Sequence, residues 1–218
     1  MKRTGTTAVL ARPTSRSQPL YVGVDEAGRG PLAGPLAVAG VILDPNSAPL
    51  PGLNDSKKLS APRRQDLYQQ ITAQAVAWRV VMIDTATIDR LNIFQATLQG
   101  MKAIVAALCP PARAARIDGK HLPPELPCHA EAIIGGDRLD PAIMAASILA
   151  KVARDQIMQT LHTHYPHYLF DQHKGYPTQA HLRALKRYGP CPAHRQSYAP
   201  VQRSLAARAQ STTTCLCI

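Results

Sequence analysis

The chain has 218 residues, of which 45% are hydrophobic and 18% charged, a globular composition that excludes an intrinsically disordered chain. No apolar run reaches the ~18 residues that a membrane-spanning helix needs. The five cysteines are odd in number and lack paired C-x-x-C spacing, which argues against a disulfide framework or a structural zinc and fits a reducing, cytoplasmic compartment.

Lys and Arg total 25 against 14 Asp and Glu, a net charge of +11. Residues 1–24 hold four bases and no acid, residues 172–218 hold seven bases and no acid, and residues 25–171 hold fourteen of each. A neutral body with a basic C-terminal quarter suggests a polyanionic partner, most simply nucleic acid.

In chain order, residues 1–19 read as a flexible basic arm, residues 20–203 as one domain, and residues 204–218 as a disordered tail. Leu20–Val24 and Leu36–Leu43 read as strands joined by a Gly/Pro-rich turn. Ser60 as N-cap, followed by Pro62, starts a helix to about Ala75. Ala77–Ile83 reads as a strand. Asp84 or Thr85 caps a short helix, and Asn92–Leu108 is a longer amphipathic one. Ala114–Ile117 is a strand ending at Asp118. Glu131–Ile134 is another, Pro141 opens the longest helix to about His164, and Thr178 opens a last one ending near Gly189. A hairpin followed by strands alternating with helices predicts an α/β domain.

Three of the strands end on carboxylates. Asp25 and Glu26 follow Tyr21–Val24 and open a glycine-rich turn. Asp118 precedes Gly119, and Asp137 follows Gly135-Gly136. Adjacent carboxylates repel unless a cation neutralises them, and strand ends of α/β sheets are where active sites form. Because neighbouring strand residues face opposite ways, Asp25 and Glu26 can share a site only if the backbone turns there or one contributes a carbonyl. Four oxygen-donor residues without a thiolate or histidine cluster suit a hard cation such as Mg²⁺ or Mn²⁺. The competing reading of Asp137 is as a helix N-cap.

The segments Asp25-Glu26-Ala27-Gly28-Arg29-Gly30, Asn54-Asp55-Ser56-Lys57-Lys58-Leu59, Ile88-Asp89-Arg90-Leu91-Asn92-Ile93, Ile117-Asp118-Gly119, Ala145 through Asp155, and His173-Lys174-Gly175-Tyr176-Pro177-Thr178 resemble, in order, the motifs of the ribonuclease HII family. His194-Arg195-Gln196-Ser197-Tyr198 is similar to its C-terminal signature. The resemblance covers about residues 20–202. It implies an RNase H-like fold: a mixed central sheet flanked by helices, with a helical C-terminal extension. It implies hydrolysis of the RNA strand of RNA/DNA hybrids and cutting 5′ of single ribonucleotides in duplex DNA. Asp25, Glu26, Asp118 and Asp137 would be the catalytic, metal-holding carboxylates. Two ions of Mn²⁺ or Mg²⁺ about 4 Å apart would activate water and stabilise the leaving 3′ oxygen, yielding a 5′-phosphate and a 3′-hydroxyl.

By the same resemblance Gly28-Arg29-Gly30 reads the 2′-hydroxyl, Tyr176 packs on the following deoxyribose, and Ser56, Lys57, Lys58 and Lys174 hold phosphates, contacts that position without reading sequence. The partner would be hybrid or ribonucleotide-containing duplex, the enzyme a monomer. Lys120 after Asp118-Gly119, Gly136 before Asp137 and Leu169 at a position where glycine is common depart from the family pattern.

Other features read as structural. His162, His164 and His167 do not share one helix face. Ser147 and Lys151 suit helix packing, and Arg154-Asp155 an ion pair. The C-terminal Cys215-Leu216-Cys217-Ile218 resembles a loose prenylation motif, without a polybasic run close before it. Competing functions are a hybrid-only nuclease, a catalytically silent binding module and a small-molecule phosphohydrolase. The intact carboxylate set and the basic quarter disfavour the last two.

Overall fold

The computed structural model describes residues 19–215, with side chains through 210. The arm read over residues 1–19 and the last three residues therefore lie, but for residue 19, outside the described residues.

Strands β1 (Tyr21–Ala27), β2 (Leu36–Ile42) and β3 (Ala77–Ile83) form an antiparallel meander. Strands β4 (Ala114–Asp118) and β5 (His129–Ile133) continue the sheet from the other edge of β1, both parallel to it, in the order β3-β2-β1-β4-β5. The C-terminal ends of β1, β4 and β5 thus share one edge of the sheet.

Helices cover both faces. Helix α1 (Ala61–Gln74) packs with the long helix α5 (Pro141–His164) against Ala37, Ala39 and Val41, while α3 (Ile93–Leu108) packs against Val22, Val24 and Val38. Helix α5 crosses β1 closely. A Cβ on Gly23 would lie 2.3 Å from the backbone of Ala142, so no larger residue fits there without moving the helix.

The helix starts follow their capping residues. Ser60 accepts from the Arg63 amide, and Asp84 caps α2 (Thr85–Leu91). Asn92, at φ +67°, separates α2 from α3 and accepts the Phe94 and Gln95 amides. Asp140 caps α5 through the Ala142 and Ile143 amides while accepting Tyr21 Oη and, at 2.9 Å, Arg116 Nη1, which ties β1 and β4 to that helix start.

The structure corrects several boundaries. β1 continues through Asp25, Glu26 and Ala27 because these residues stay paired with Ala39, Val38 and Ala37. β5 starts two residues earlier than expected and ends at Ile133. A short helix α4 (Gly136–Leu139) follows left-handed Gly135, so Asp137 sits inside α4 and Asp140 supplies the α5 cap. After a 3-10 turn at Pro166–Tyr168 come α6 (Phe170–His173), α7 (Gln179–Tyr188) and α8 (Ala199–Cys215).

Helix α8 runs through residues 204–215, which the sequence reading assigned to a disordered tail. Val201 is buried with Leu32 and Leu185, Ser204 Oγ donates to the Leu185 carbonyl, and Ala, Arg and Gln continue the helix well. Among the described residues no helix is long and apolar enough to cross a membrane.

Candidate active site

The parallel register of β1, β4 and β5 brings the predicted carboxylates to one sheet edge. Asp25 and Glu26 come from the end of β1, Asp118 from the end of β4, and Asp137 from the first turn of α4, just past β5. Asp25 is only 5% exposed and Asp137 only 8%. Asp25 Oδ1 accepts the Glu26 amide at 2.7 Å.

Burial, reinforced by the neighbouring Glu26 and Asp118 charges, pushes the Asp25 carboxyl well above the usual carboxylate range. Burial also raises Glu26; Arg29 Nη1, 3.5 Å from Glu26 Oε1, opposes that shift while Asp118 adds to it. Asp118 is raised by burial and by Asp137. These are the electrostatics of a carboxylate cluster short of positive charge.

Lys57 partly compensates. Its Nζ lies 3.1 Å from Asp137 Oδ2, and Arg138 Nε lies 3.7 Å from Asp137 Oδ1. Among the described residues no three His, Cys, Asp or Glu side chains close into a ready cage for an ion. The donor set nevertheless fits a hard divalent cation. Asp118 Oδ1 is buried without a hydrogen-bond partner, an orphan acceptor amid like charges, and a cation would satisfy both deficits.

The predicted substrate residues line a hollow of about 200 Å³ beside this cluster, shared by Glu26, Gly28, Arg29, Gly30, Ser56, Lys57 and Tyr176. Gly28 has φ +99°, and a Cβ there would strike the Arg154 side chain at 2.0 Å. Tyr176 is 44% exposed, which excludes a core tyrosine, and its ring faces Gly30. Two predicted phosphate holders are engaged elsewhere. Ser56 Oγ is buried on Ser147 Oγ at 2.9 Å, and Lys174 Nζ donates to the Asp171 carbonyl at 2.6 Å. Lys58 is exposed.

Two further expectations are corrected here. Asp155 pairs with Lys151 at 2.7 Å, one helical turn away, and not with Arg154, because consecutive helix residues point apart. Arg154 instead turns inward to the backbone carbonyls of Ala33, Pro35 and Lys174. Arg195, counted from the sequence in the basic C-terminal quarter and in the C-terminal signature, is fully buried on the carbonyls of Gly28, Arg29 and Gly34. Asp89 accepts the Gln196 and Ser197 amides and Ser197 Oγ, joining two of the sequence motifs across the fold. Among the three distrusted histidines, His162 lies 3.1 Å from Asp171 Oδ1, and His164 and His167 are exposed.

A profile of the family described as Ribonuclease HII matches residues 22–201. The chain belongs to the ribonuclease HII family. It is 56% identical over 200 residues to a Ribonuclease HII of Xanthomonas oryzae pv. oryzae, covering 92% of this chain and 79% of the relative. It is 59% identical over 190 residues to one of Xylella fastidiosa, covering 87% and 81%.

Among solved structures, ribonuclease H2 from Pyrococcus horikoshii matches the fold with a TM-score of 0.73 at 22% identity, over 86% of this chain and 98% of that one. The RNase HII of the PCNA:RNase HII complex from Archaeoglobus fulgidus matches with a TM-score of 0.70 at 25% identity, over 82% and 95%. Bst-RNase HIII in complex with Mn²⁺ matches with a TM-score of 0.63 at 17% identity, over 94% and 77%. Membership of the ribonuclease HII family makes this chain a metal-dependent endoribonuclease acting on the RNA strand of RNA/DNA hybrids, and the mixed five-stranded sheet is its RNase H-like core.

Proposed function

We propose that the enzyme also cuts duplex DNA on the 5′ side of a single embedded ribonucleotide, leaving a 5′-phosphate and a 3′-hydroxyl. Asp25, Glu26, Asp118 and Asp137 would hold two divalent ions, Mg²⁺ or Mn²⁺. When bound, such ions supply activation of the attacking water and charge stabilisation at the leaving oxygen. We read the chain as a monomer working in a reducing, cytoplasmic setting, in keeping with its odd number of cysteines without paired spacing.

The observation that carries this reading is the meeting of Tyr176 with the Gly28–Gly30 turn beside the carboxylates. Arg195 takes the carbonyls of Gly28 and Arg29, and Tyr198 Oη also donates to the latter. Among the described residues the amides of Arg29 and Gly30 have no protein acceptor. The turn lines the hollow and carries two amide donors without a protein partner, a feature suited to a ribose 2′-oxygen next to the cluster. The exposed Tyr176 ring offers a flat apolar surface to the next sugar, where an added hydroxyl would crowd it. Lys57 and Lys58 supply phosphate contacts at the rim.

The test is a duplex carrying one ribonucleotide, incubated with and without Mg²⁺ or Mn²⁺, with the cut mapped at nucleotide resolution. Metal-dependent scission 5′ of the ribonucleotide is expected. An intact single-ribonucleotide duplex alongside a digested continuous hybrid would leave only the hybrid activity.

A further inference from the structure

Behind the Tyr176 turn lies a buried chain of hydrogen bonds with a fixed direction. The Cys191 amide donates to His194 Nδ1 at 3.0 Å, His194 Nε2 and His181 Nε2 are 3.0 Å apart, and His181 Nδ1 lies 2.9 Å from the Tyr176 carbonyl oxygen. His181 is 0% exposed and His194 1%. A backbone carbonyl only accepts, so His181 Nδ1 carries a hydrogen. A backbone amide only donates, and at 3.0 Å it lies closer to His194 Nδ1 than the Cys191 thiol at 3.2 Å or the Cys191 carbonyl at 3.3 Å, which assigns His194 Nδ1 as the bare nitrogen. The two ends then force the middle: His194 Nε2–H donates to a bare His181 Nε2, and both rings are neutral.

A third ring supports the same turn. His173 stacks on His181 with centroids 4.6 Å apart and an angle of 13°. Its Nδ1 accepts the Gly175 amide at 3.2 Å and its Nε2 donates to the Tyr168 carbonyl at 2.7 Å. The Tyr176 carbonyl also accepts the Thr178 amide at 2.8 Å. Desolvation holds His181 and His194 down to about 4 and also lowers His173, in keeping with neutral rings.

We propose that His181 and His194 are positioning residues for junction choice: their one-way relay fixes the Tyr176 backbone and so aims its ring over Gly30. This inference rests on the reading of Tyr176 as the sensor of the sugar that follows the ribonucleotide. Neither histidine faces the carboxylate cluster, so they act through Tyr176 and not on the reacting atoms.

The test compares cleavage of a single-ribonucleotide duplex with cleavage of a continuous hybrid, taken as a ratio. His181→Leu and His194→Leu should lower that ratio about tenfold, the effect of a buried hydrogen bond worth about one factor of ten. His181→Asn, which keeps a donor at the Nδ1 position, and His194→Gln, which keeps one at Nε2, should restore most of it. A purely structural role would lower both substrates together.

Tyr176→Ala, run in parallel, separates the two ideas. If it lowers the ratio while the histidine variants do not, the relay fails and the Tyr176 reading stands. An unchanged ratio in Tyr176→Ala removes the Tyr176 reading itself. Should the leucine variants not fold, nitrogen-15 imidazole spectra of the wild-type chain decide: His181 must be protonated at Nδ1 and His194 at Nε2, and any other pair of tautomers overturns the relay.

Discussion

Arg154 and Arg195 grip the loop from Gly28 to Pro35 between them, Arg154 also reaching Lys174, and neither has a carboxylate within ion-pair distance among the described residues. They are 1% and 0% exposed, and between them they donate to the carbonyls of Gly28, Arg29, Ala33, Gly34, Pro35 and Lys174. Burial, aided by the second guanidinium, lowers Arg154 only to about 10, so it remains charged at neutral pH. Six carbonyl dipoles stand in for a counter-ion.

Arg154→Met keeps the stem and removes the donors, stranding three carbonyls. Each buried acceptor left unsatisfied costs about 1–3 kcal/mol, so a loss of roughly 3 kcal/mol or more in urea denaturation is expected. A loss of less than about 1 kcal/mol would mean that these bonds do not hold the loop.

Asp118→Asn should abolish cleavage while leaving substrate affinity nearly intact, since it removes a ligand charge and no phosphate contact. The same change should stabilise the metal-free protein at neutral pH. Carboxyls raised above their unfolded values bind protons more readily when folded, so as anions they subtract from stability above the unfolded value near pH 4. A higher melting temperature in chelator together with lost turnover is the expected pair. Normal turnover in Mg²⁺ would remove Asp118 from the reaction. Asp155→Asn, which breaks only the Lys151 pair, should keep activity.

Lys58→Ala should weaken binding to every duplex alike and flatten the salt dependence by about 0.9 in log–log slope, the value of one phosphate contact. Lys57→Ala should do the same and also slow turnover, because its Nζ holds Asp137 at 3.1 Å. Binding measured against salt concentration separates the two. A moved cleavage position in either variant would contradict a role confined to phosphates and to Asp137.

His181 and His194 make stability depend on pH in a defined window. Their folded values of about 4 lie below the unfolded value near 6.5. The unfolded chain therefore binds more protons between those limits. The contribution is complete above about pH 6.5, declines as pH falls toward about 4, and amounts to a few kcal/mol for the pair. The groups facing them are His173, Cys191, Tyr168 and Phe170. The gap between the urea midpoints at pH 7.5 and 5.5 should be smaller in His194→Gln than in wild type; equal pH slopes in both would refute the assignment.

Much of this architecture was legible in local signals. The strand β3 matched residue for residue, and Ser60, Asp84, Asn92 and Thr178 cap the helices they introduce. The four carboxylates could be read as strand-end residues beside glycine. Asp25 and Glu26 were expected in a turn because glycines follow at once, yet ladder pairing to β2 carries the strand past them. Arg154, Arg195, His181 and His194 were missed as organisers, since their partners are backbone atoms distant in sequence that leave no periodic pattern. Leu169 was noted as a departure from glycine, and the structure gives the reason glycine suits the site: its φ is +59°, a left-handed conformation.

The meander of β1, β2 and β3 pairs neighbours in sequence, whereas β1 must wait for β4 before its second edge is filled. Translation therefore delivers this nuclease in stages. Once Asp137 has been made, all four carboxylates of the cluster exist, but the loop at Gly28 and Arg29 is still without Arg195, and Tyr176 with its supporting histidines is still to come. The four carboxylates are complete before the parts proposed to choose a linkage. Residues made after the carboxylates supply Arg195, which closes the loop at Gly28 and Arg29, and the support of Tyr176, so the selectivity proposed above depends on the last part of the chain to be made.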